Sequence, residues 1–163
     1  MNQNKIITIS RQYGSGGRIV AQKLAEALEI PFYDNELITM AAEKTGLSVE
    51  CFKDAEKTSI GNLFFSLTSL TPSMDAVGLP LNEKIFLVQS QVIKEVAAEG
   101  PCVIVGRSAN YVLQDNPNVI NVFLQGDLED RVKRAIDTYG QDAEGAEALV
   151  VKTDKRRANY YNY

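Results

Sequence analysis

At 163 residues the chain is long enough for one domain with a buried core. It is 45% hydrophobic and 23% charged with a formal charge of −4, a globular composition without the basic field of a nucleic-acid binder. It has no histidine, which rules out a histidine base, and no apolar run near the roughly 18 residues that span a membrane.

Lys5–Ile9 (KIITI) is β-branched and ends at a glycine-rich turn, so a buried strand is expected. From Arg18 onward Ile19, Val20, Leu24, Ala27 and Leu28 recur at helical spacing. They predict a helix to about Glu29, ended by Pro31. Pro31–Asp34 reads as a short strand closing on a carboxylate. Asn35 is placed to cap a helix from Glu36 to about Lys44, with Gly46 as its stop. Ser48 with Glu50–Lys57 suggests another short helix.

Ser59–Pro80 changes character, with Ser, Thr, Gly, two prolines and scattered Phe and Leu. A mobile insertion over about residues 58–81 is expected, with Phe64-Phe65 packing rather than stacking on a base. Asn82–Glu99 is amphipathic, with Ile85, Phe86, Val88, Val92, Ile93 and Val96 on one side. Cys102–Val105 (CVIV) and Val119–Leu124 (VINVFL) are expected as further buried strands. The end, Lys152–Tyr163, is basic and aromatic. The alternation of strand and helix predicts an α/β fold, a parallel sheet with helices on both faces.

Ligands of such a sheet sit at the carboxyl ends of its strands. The Gly14–Gly17 loop, Asp34, Gly106-Arg107 and Gln125–Asp127 all fall there. Gly14, Gly16 and Gly17 permit positive φ, so consecutive N–H groups can form an anion nest, reinforced by the helix that follows. Neither effect needs a lysine. A dinucleotide loop, G-x-G-x-x-G with an acid about 20 residues on, fails at its third glycine, although Asp34 stands near the acid position. A mononucleotide loop, G-x-x-x-x-G-K-[ST], would put Arg11 at its first glycine, Gly17 at its lysine and Arg18 at its hydroxyl. Cys51 and Cys102 have no short-spaced partner and are expected as buried free thiols of a cytoplasmic protein.

The segments TISRQYGSGGRIVAQKLAEAL, PFYDNELI, CVIVGRSANYVL and VFLQGDLEDRVKRAI follow in that order. Together they resemble the cytidylate kinase-like family, P-loop nucleoside monophosphate kinases with a variant, lysine-less phosphate loop. The resemblance covers nearly the whole chain. It implies a single three-layer P-loop domain over residues 1–163, with sheet order 2-3-1-4-5. The insertion would bind substrate, and a lid would lie at about 138–163. The implied reaction is transfer of the ATP γ-phosphoryl group, with Mg²⁺, to CMP or a similar monophosphate. The partners would be small-molecule nucleotides, with no nucleic acid and no membrane.

The resemblance also implies residue roles. Gly14, Ser15, Gly16, Gly17, Arg18 and Ile19 would hold the ATP phosphates. Arg11 or Arg18 would stand in for the lysine, since an arginine fork binds phosphate oxygens in pairs. Asp34 and Arg107 would meet the acceptor. Arg131 and Arg134, with Arg156 and Arg157 of the lid, would clamp phosphates in the closed state. Each has a plainer role beside it. Asp34 can cap a helix, Arg131 and Arg134 can pair with Asp127 or Asp130 on a solvated face, and Arg156 and Arg157 can be a charged helix end. Ser108 replaces the aspartate of the family's Gly-Arg-Asp block, and the usual hydroxyl ligand for Mg²⁺ is missing. Relatives continue into a further strand and helix, so four core strands are expected here. The open edge would offer a route to a homo-oligomer. Two alternatives stand beside the kinase: a nucleotide- or phosphate-binding protein of this fold without turnover, and a dinucleotide-binding domain.

Overall fold

The structure, a computed structural model, describes residues 5–50, 52 and 81–161. They fall into two compact units, Met1–Asp34 with Val96–Tyr163, and Asn35–Glu95. Expectations about Cys51, the short helix through Lys57, and the insertion with Phe64-Phe65 lie outside the described residues.

The first unit holds a parallel sheet of β1 (Ile6–Arg11), β2 (Phe32–Tyr33), β3 (Cys102–Val105) and β4 (Val119–Leu124) in order β2-β3-β1-β4. Ile6 pairs with Cys102 on one side and Val119 on the other, and Phe32 pairs with Val103. This is the expected order through its fourth strand; no fifth strand occurs among the described residues. A dinucleotide fold has order 3-2-1-4, with its second strand beside the first. Here β3 takes that place, which removes the dinucleotide alternative on topology. All four residues of β3 are buried, as an inner parallel strand requires. Ile7 and Ile9 join Val103 and Val105 in the core. The expected burial of Val119–Leu124 does not hold: β4 ends the sheet among the described residues, none of its residues is buried, and Ile120 and Phe123 are exposed.

Helix α1 (Gly17–Leu28) covers this core with a face the apolar spacing did not predict. Its buried stripe is Gly17, Ala21 and Ala25, while Ile19, Val20 and Leu28 are 41%, 45% and 49% exposed. Small residues at i, i+4 and i+8 let the helix backbone approach the sheet; Ile19, Val20 and Leu28 turn outward, while Leu24 still packs against the core. Its C-terminus closes with Glu29 in the left-handed region, and Ile30 N–H donates to Ala25 C=O. Three further helices belong wholly or partly to this unit's later segment: α4 (Ala109–Val112), α5 (Leu128–Asp137) and α6 (Ala146–Tyr161).

In the second unit α2 (Glu36–Thr45) buries Leu37, Ile38, Ala41 and Ala42. Asn35 stands at its N-cap position but makes no side-chain cap bond, and Gly46 ends it at φ 69°. Helix α3 (Leu81–Glu99) runs from this unit into the first and buries Ile85, Gln89, Val92, Ile93 and Val96 along one stripe. Lys44 and Glu95 form a surface ion pair. No helix among the described residues is long and apolar enough to cross a membrane.

Candidate functional site

The loop between β1 and α1 is shaped by glycines that serve different needs. Gly14 and Gly16 have φ of 79° and 82°, the left-handed region that suits glycine. A side chain at Gly14 would also strike the backbone of Arg131. Gly17 is the first residue of α1 and has no positive φ. It is required for space, because a Cβ there would lie 2.6 Å from Arg11 Cβ. The expected positive φ therefore holds at two of the three glycines. Gly16 caps α1 with no side-chain bond, leaving the helix N-terminus open.

The loop's carbonyl oxygens are held by arginines. Arg157 Nη1 donates to Arg11 C=O at 3.2 Å, Arg131 Nη1 to Tyr13 C=O at 3.1 Å, and Arg134 Nη1 to Gly14 C=O at 2.7 Å. The Gln12 carbonyl accepts from Ser15 Oγ at 2.9 Å, and Gln12 Oε1 accepts from Gly126 N–H at 3.1 Å. Among the described residues no hydrogen bond uses the amides of Gly14, Gly16, Gly17, Arg18 or Ile19. Those carbonyls are engaged, while the amides of Gly14 and of Gly16 through Ile19 keep no acceptor among the described residues, the condition an anion nest requires.

Arg131 is buried, with its Nε and Nη1 donors committed. Beside Tyr13 C=O, its Nε donates to Gly126 C=O at 2.9 Å, and its Nη1 lies 2.5 Å from Asp154 Oδ2. Neither Asp127 nor Asp130 forms a salt bridge with Arg131 or Arg134 among the described residues, so the plainer surface pairing is not what these arginines do. Arg134 is half-buried beside Gly16. Asp154 is a residue the sequence did not single out: its Oδ1 accepts from Tyr13 N–H at 2.6 Å. Arg157 lies over the Tyr13 ring at 5.5 Å, and Tyr13 meets Tyr139 edge-on with centroids 5.7 Å apart. Arg156 is exposed.

Arg11 belongs to the end of β1, not to the loop, and pairs with Leu124. Its side chain runs past Gly17 to Gly106, where a Cβ would collide with its guanidinium. Burial lowers the Arg11 pKa, with Asp34 opposing and Arg18 adding to the effect. Burial likewise lowers Arg157, to about 10, with Arg11 as the next cause. Two guanidiniums are thus desolvated near each other, with Asp34 and Asp154 offsetting part of the effect.

Asp34 is buried after β2, and Arg18 Nε lies 2.9 Å from its Oδ2. It precedes the helix cap and does not occupy it. After β3, Gly106, Arg107 and Ser108 all have positive φ, at 72°, 57° and 52°. Two successive non-glycine residues in that region store strain, a feature that clusters at functional sites. Cys102 is buried and free, as expected; burial and then Glu99 push its thiol up to about 11. Among the described residues no three His, Cys, Asp or Glu side chains group as a cation cage.

The sequence model of the cytidylate kinase-like family matches residues 6–163. An uncharacterized protein from Eubacterium ventriosum ATCC 27560 is 31% identical, with a TM-score of 0.67, over 97% of this chain and 76% of its own. Shikimate kinase from Bacteroides thetaiotaomicron has a TM-score of 0.57 at 16% identity, over 97% of this chain and 82% of its own. A gluconokinase from Sinorhizobium meliloti 1021 has a TM-score of 0.52 at 16% identity, over 94% of this chain and 76% of its own. At such identity the two kinases share the fold. No curated protein matches the chain. The variant glycine loop, the strand order and the match over residues 6–163 agree, and the chain belongs to the cytidylate kinase-like family.

Proposed function

We propose that this chain transfers the γ-phosphoryl group of ATP to a nucleoside monophosphate, with CMP as the first candidate. The observation that supports this is the loop itself: the carbonyls of Arg11, Tyr13 and Gly14 are bound to arginines, the amides of Gly14 and of Gly16 through Ile19 have no acceptor among the described residues, and the nearby guanidiniums of Arg11 and Arg157 are desolvated.

Phosphoryl transfer asks a protein mainly for positioning and charge neutralisation. The Gly14–Ile19 amides and the α1 N-terminus would hold the β-phosphate. Arg11, Arg18 and Arg134 flank them, with the unused donors of their forks available to the γ-phosphoryl oxygens as charge spreads over these in the transition state. Arg107 would bind the acceptor's phosphate, and Asp34, once Arg18 turns to the donor, the acceptor itself. An acceptor phosphate oxygen attacks the γ-phosphorus, the bond to the β-phosphate oxygen breaks, and ADP leaves. Arg156 and Arg157 would close over the phosphates. Arg131, with its Nε and Nη1 committed to the fold, would serve as frame.

A magnesium ion is normally held by one or two carboxylates, phosphate oxygens and waters. Asp34 fits that modest demand, although the ordinary loop hydroxyl is replaced by Arg18 and Ser15 Oγ is bonded to Gln12. Such an ion would neutralise and orient the phosphates when bound.

A second possibility, nucleotide binding without turnover, is favoured by Gly17 and Arg18 standing where the ordinary loop has lysine and a hydroxyl. A coupled ADP-release assay with ATP and Mg²⁺ separates the two. The acceptor panel is CMP, UMP, dCMP and AMP, with shikimate and gluconate added because fold neighbours bear those names. Turnover with CMP supports the proposal. Turnover only with a sugar or ring alcohol moves the acceptor class, and ATP binding without any turnover selects the second possibility.

A further inference from the structure

We infer that Asp154 is a positioning residue that sets the shape of the phosphate loop, so that helix α6 builds the donor site. This rests on the loop being that site.

The Asp154 carboxylate works at both oxygens. Oδ1 accepts from Tyr13 N–H at 2.6 Å, and Oδ2 meets Arg131 Nη1 at 2.5 Å. The same Arg131 nitrogen donates to Tyr13 C=O, and its Nε donates to Gly126 C=O. Both polar groups of the Tyr13 backbone are thus fixed, one by Asp154 directly and one by the guanidinium Asp154 holds. Tyr13 immediately precedes Gly14, whose left-handed φ begins the turn toward α1. One helical turn beyond Asp154, Arg157 holds the Arg11 carbonyl. Helix α6 therefore grips the chain on both sides of Gln12 through residues three apart, which share a helix face.

The carboxylate is a quarter exposed or less and the Arg131 side chain is nearly sealed, at 23% and 8%. Removing Asp154 leaves a buried guanidinium without its counter-charge and a backbone N–H without its acceptor. The loop is where that loss falls, because Arg131 reaches it at Tyr13. Asparagine keeps an acceptor for Tyr13 N–H but sets an NH₂ or a neutral oxygen against Arg131, so its effect should be intermediate.

The test compares the wild-type chain with Asp154→Ala, Asp154→Asn and the exposed neighbour Lys155→Gln. ATP affinity is read by calorimetry, and amide exchange is followed by mass spectrometry without ligand. Asp154→Ala should weaken ATP about tenfold or more, with Asp154→Asn between it and wild type. Exchange should rise in peptides covering residues 12–18 while Ile6–Ile9 keeps its protection. Lys155→Gln should change neither. Adding Arg131→Met to Asp154→Ala should cost little more, since the two act as one unit. Equal loss of protection in loop and sheet would reduce Asp154 to a general stability residue and overturn the inference, as would unchanged loop exchange. If the wild type binds no ATP yet the local exchange change appears, the donor-site assignment falls and the positioning role of Asp154 stands.

Discussion

Arg18 Nε and Asp34 Oδ2 lie 2.9 Å apart, with the arginine side chain 57% exposed and the carboxylate side chain 8%. The asymmetry decides what each substitution does. Arg18→Ala leaves Asp34 buried with one charged partner fewer. The exposure of Arg18 screens the loss, so a cost of about 1–2 kcal/mol is expected, below that of breaking a fully buried pair. Arg18→Lys should recover part of it. Urea unfolding reads both, and a double-mutant cycle with Asp34→Ala should show coupling between the two positions.

Gly17 and Gly46 make a matched pair for testing the loop. Gly17→Ala puts a Cβ 2.6 Å from Arg11 Cβ, so Arg11 must move or α1 must lift. A loss of about 1–3 kcal/mol follows from such overpacking, together with weaker ATP binding. Gly46 has φ of 69° and nothing within 4 Å of a built Cβ. Gly46→Ala should cost only the left-handed backbone, about 1 kcal/mol, and leave ATP affinity unchanged. Calorimetry with ATP on both variants, with unfolding curves, checks the contrast.

Much of this fold was legible because its inner strands are short β-branched runs closed by glycines. KIITI and CVIV can be little else than buried parallel strands, and the left-handed turns at Gly14 and Gly16 follow from residue type. The sheet-facing side of α1 was not legible. Ile19, Val20 and Leu28 carry the helical period, but the buried stripe is Gly17, Ala21 and Ala25, chosen by close approach to the sheet. Arg107 and Ser108 gave no sign of positive φ, since neither residue type favours it. The partner of Arg131 was hidden for a different reason: Asp154 is 23 residues away on another helix, beyond any local spacing rule.

The strain at Arg107 separates backbone from side chain. Arg107→Ala and Arg107→Gly both remove the guanidinium, so both should raise the KM for the acceptor to the same extent. They should differ in stability. Alanine retains the cost of φ 57° and glycine does not, which favours glycine by about 1 kcal/mol. Unfolding midpoints measure that difference. Equal stability of the two variants would count against stored strain at this turn.

Cys102 predicts a pH dependence whose sign can be worked out. Burial, then Glu99, raises its thiol from 9.0 to about 11. An acid raised on folding keeps its proton in the folded state after the unfolded chain has lost it. Its contribution is therefore flat below the unfolded value, and stability falls as pH climbs from there toward the folded value. Cys102→Ala lacks this loss but has a small cavity at every pH. The stability advantage of wild type over Cys102→Ala, measured by urea unfolding, should shrink as pH rises from 9.0 to about 11.

The desolvated arginines around the loop give the most direct prediction. Arg11 and Arg157 are both lowered, chiefly by burial; Asp34 opposes the effect at Arg11 and Asp154 at Arg157, while Arg18 and Arg11 respectively add to it. An anion at the loop amides would offset that desolvation, and it binds the folded state alone. Inorganic phosphate or ATP at about 100 times its dissociation constant should therefore stabilise by about 2.7 kcal/mol. In a chain of this size that is roughly a 5–10 °C rise in Tm. Arg157→Ala should start from a similar or higher Tm, because a desolvated charge has been removed, and should gain less from phosphate. The two effects run in opposite directions, which distinguishes loss of an anion site from general destabilisation. A thermal melt of both proteins with and without phosphate measures them together. An equal rise in the variant would place the anion away from the loop that Arg157 holds.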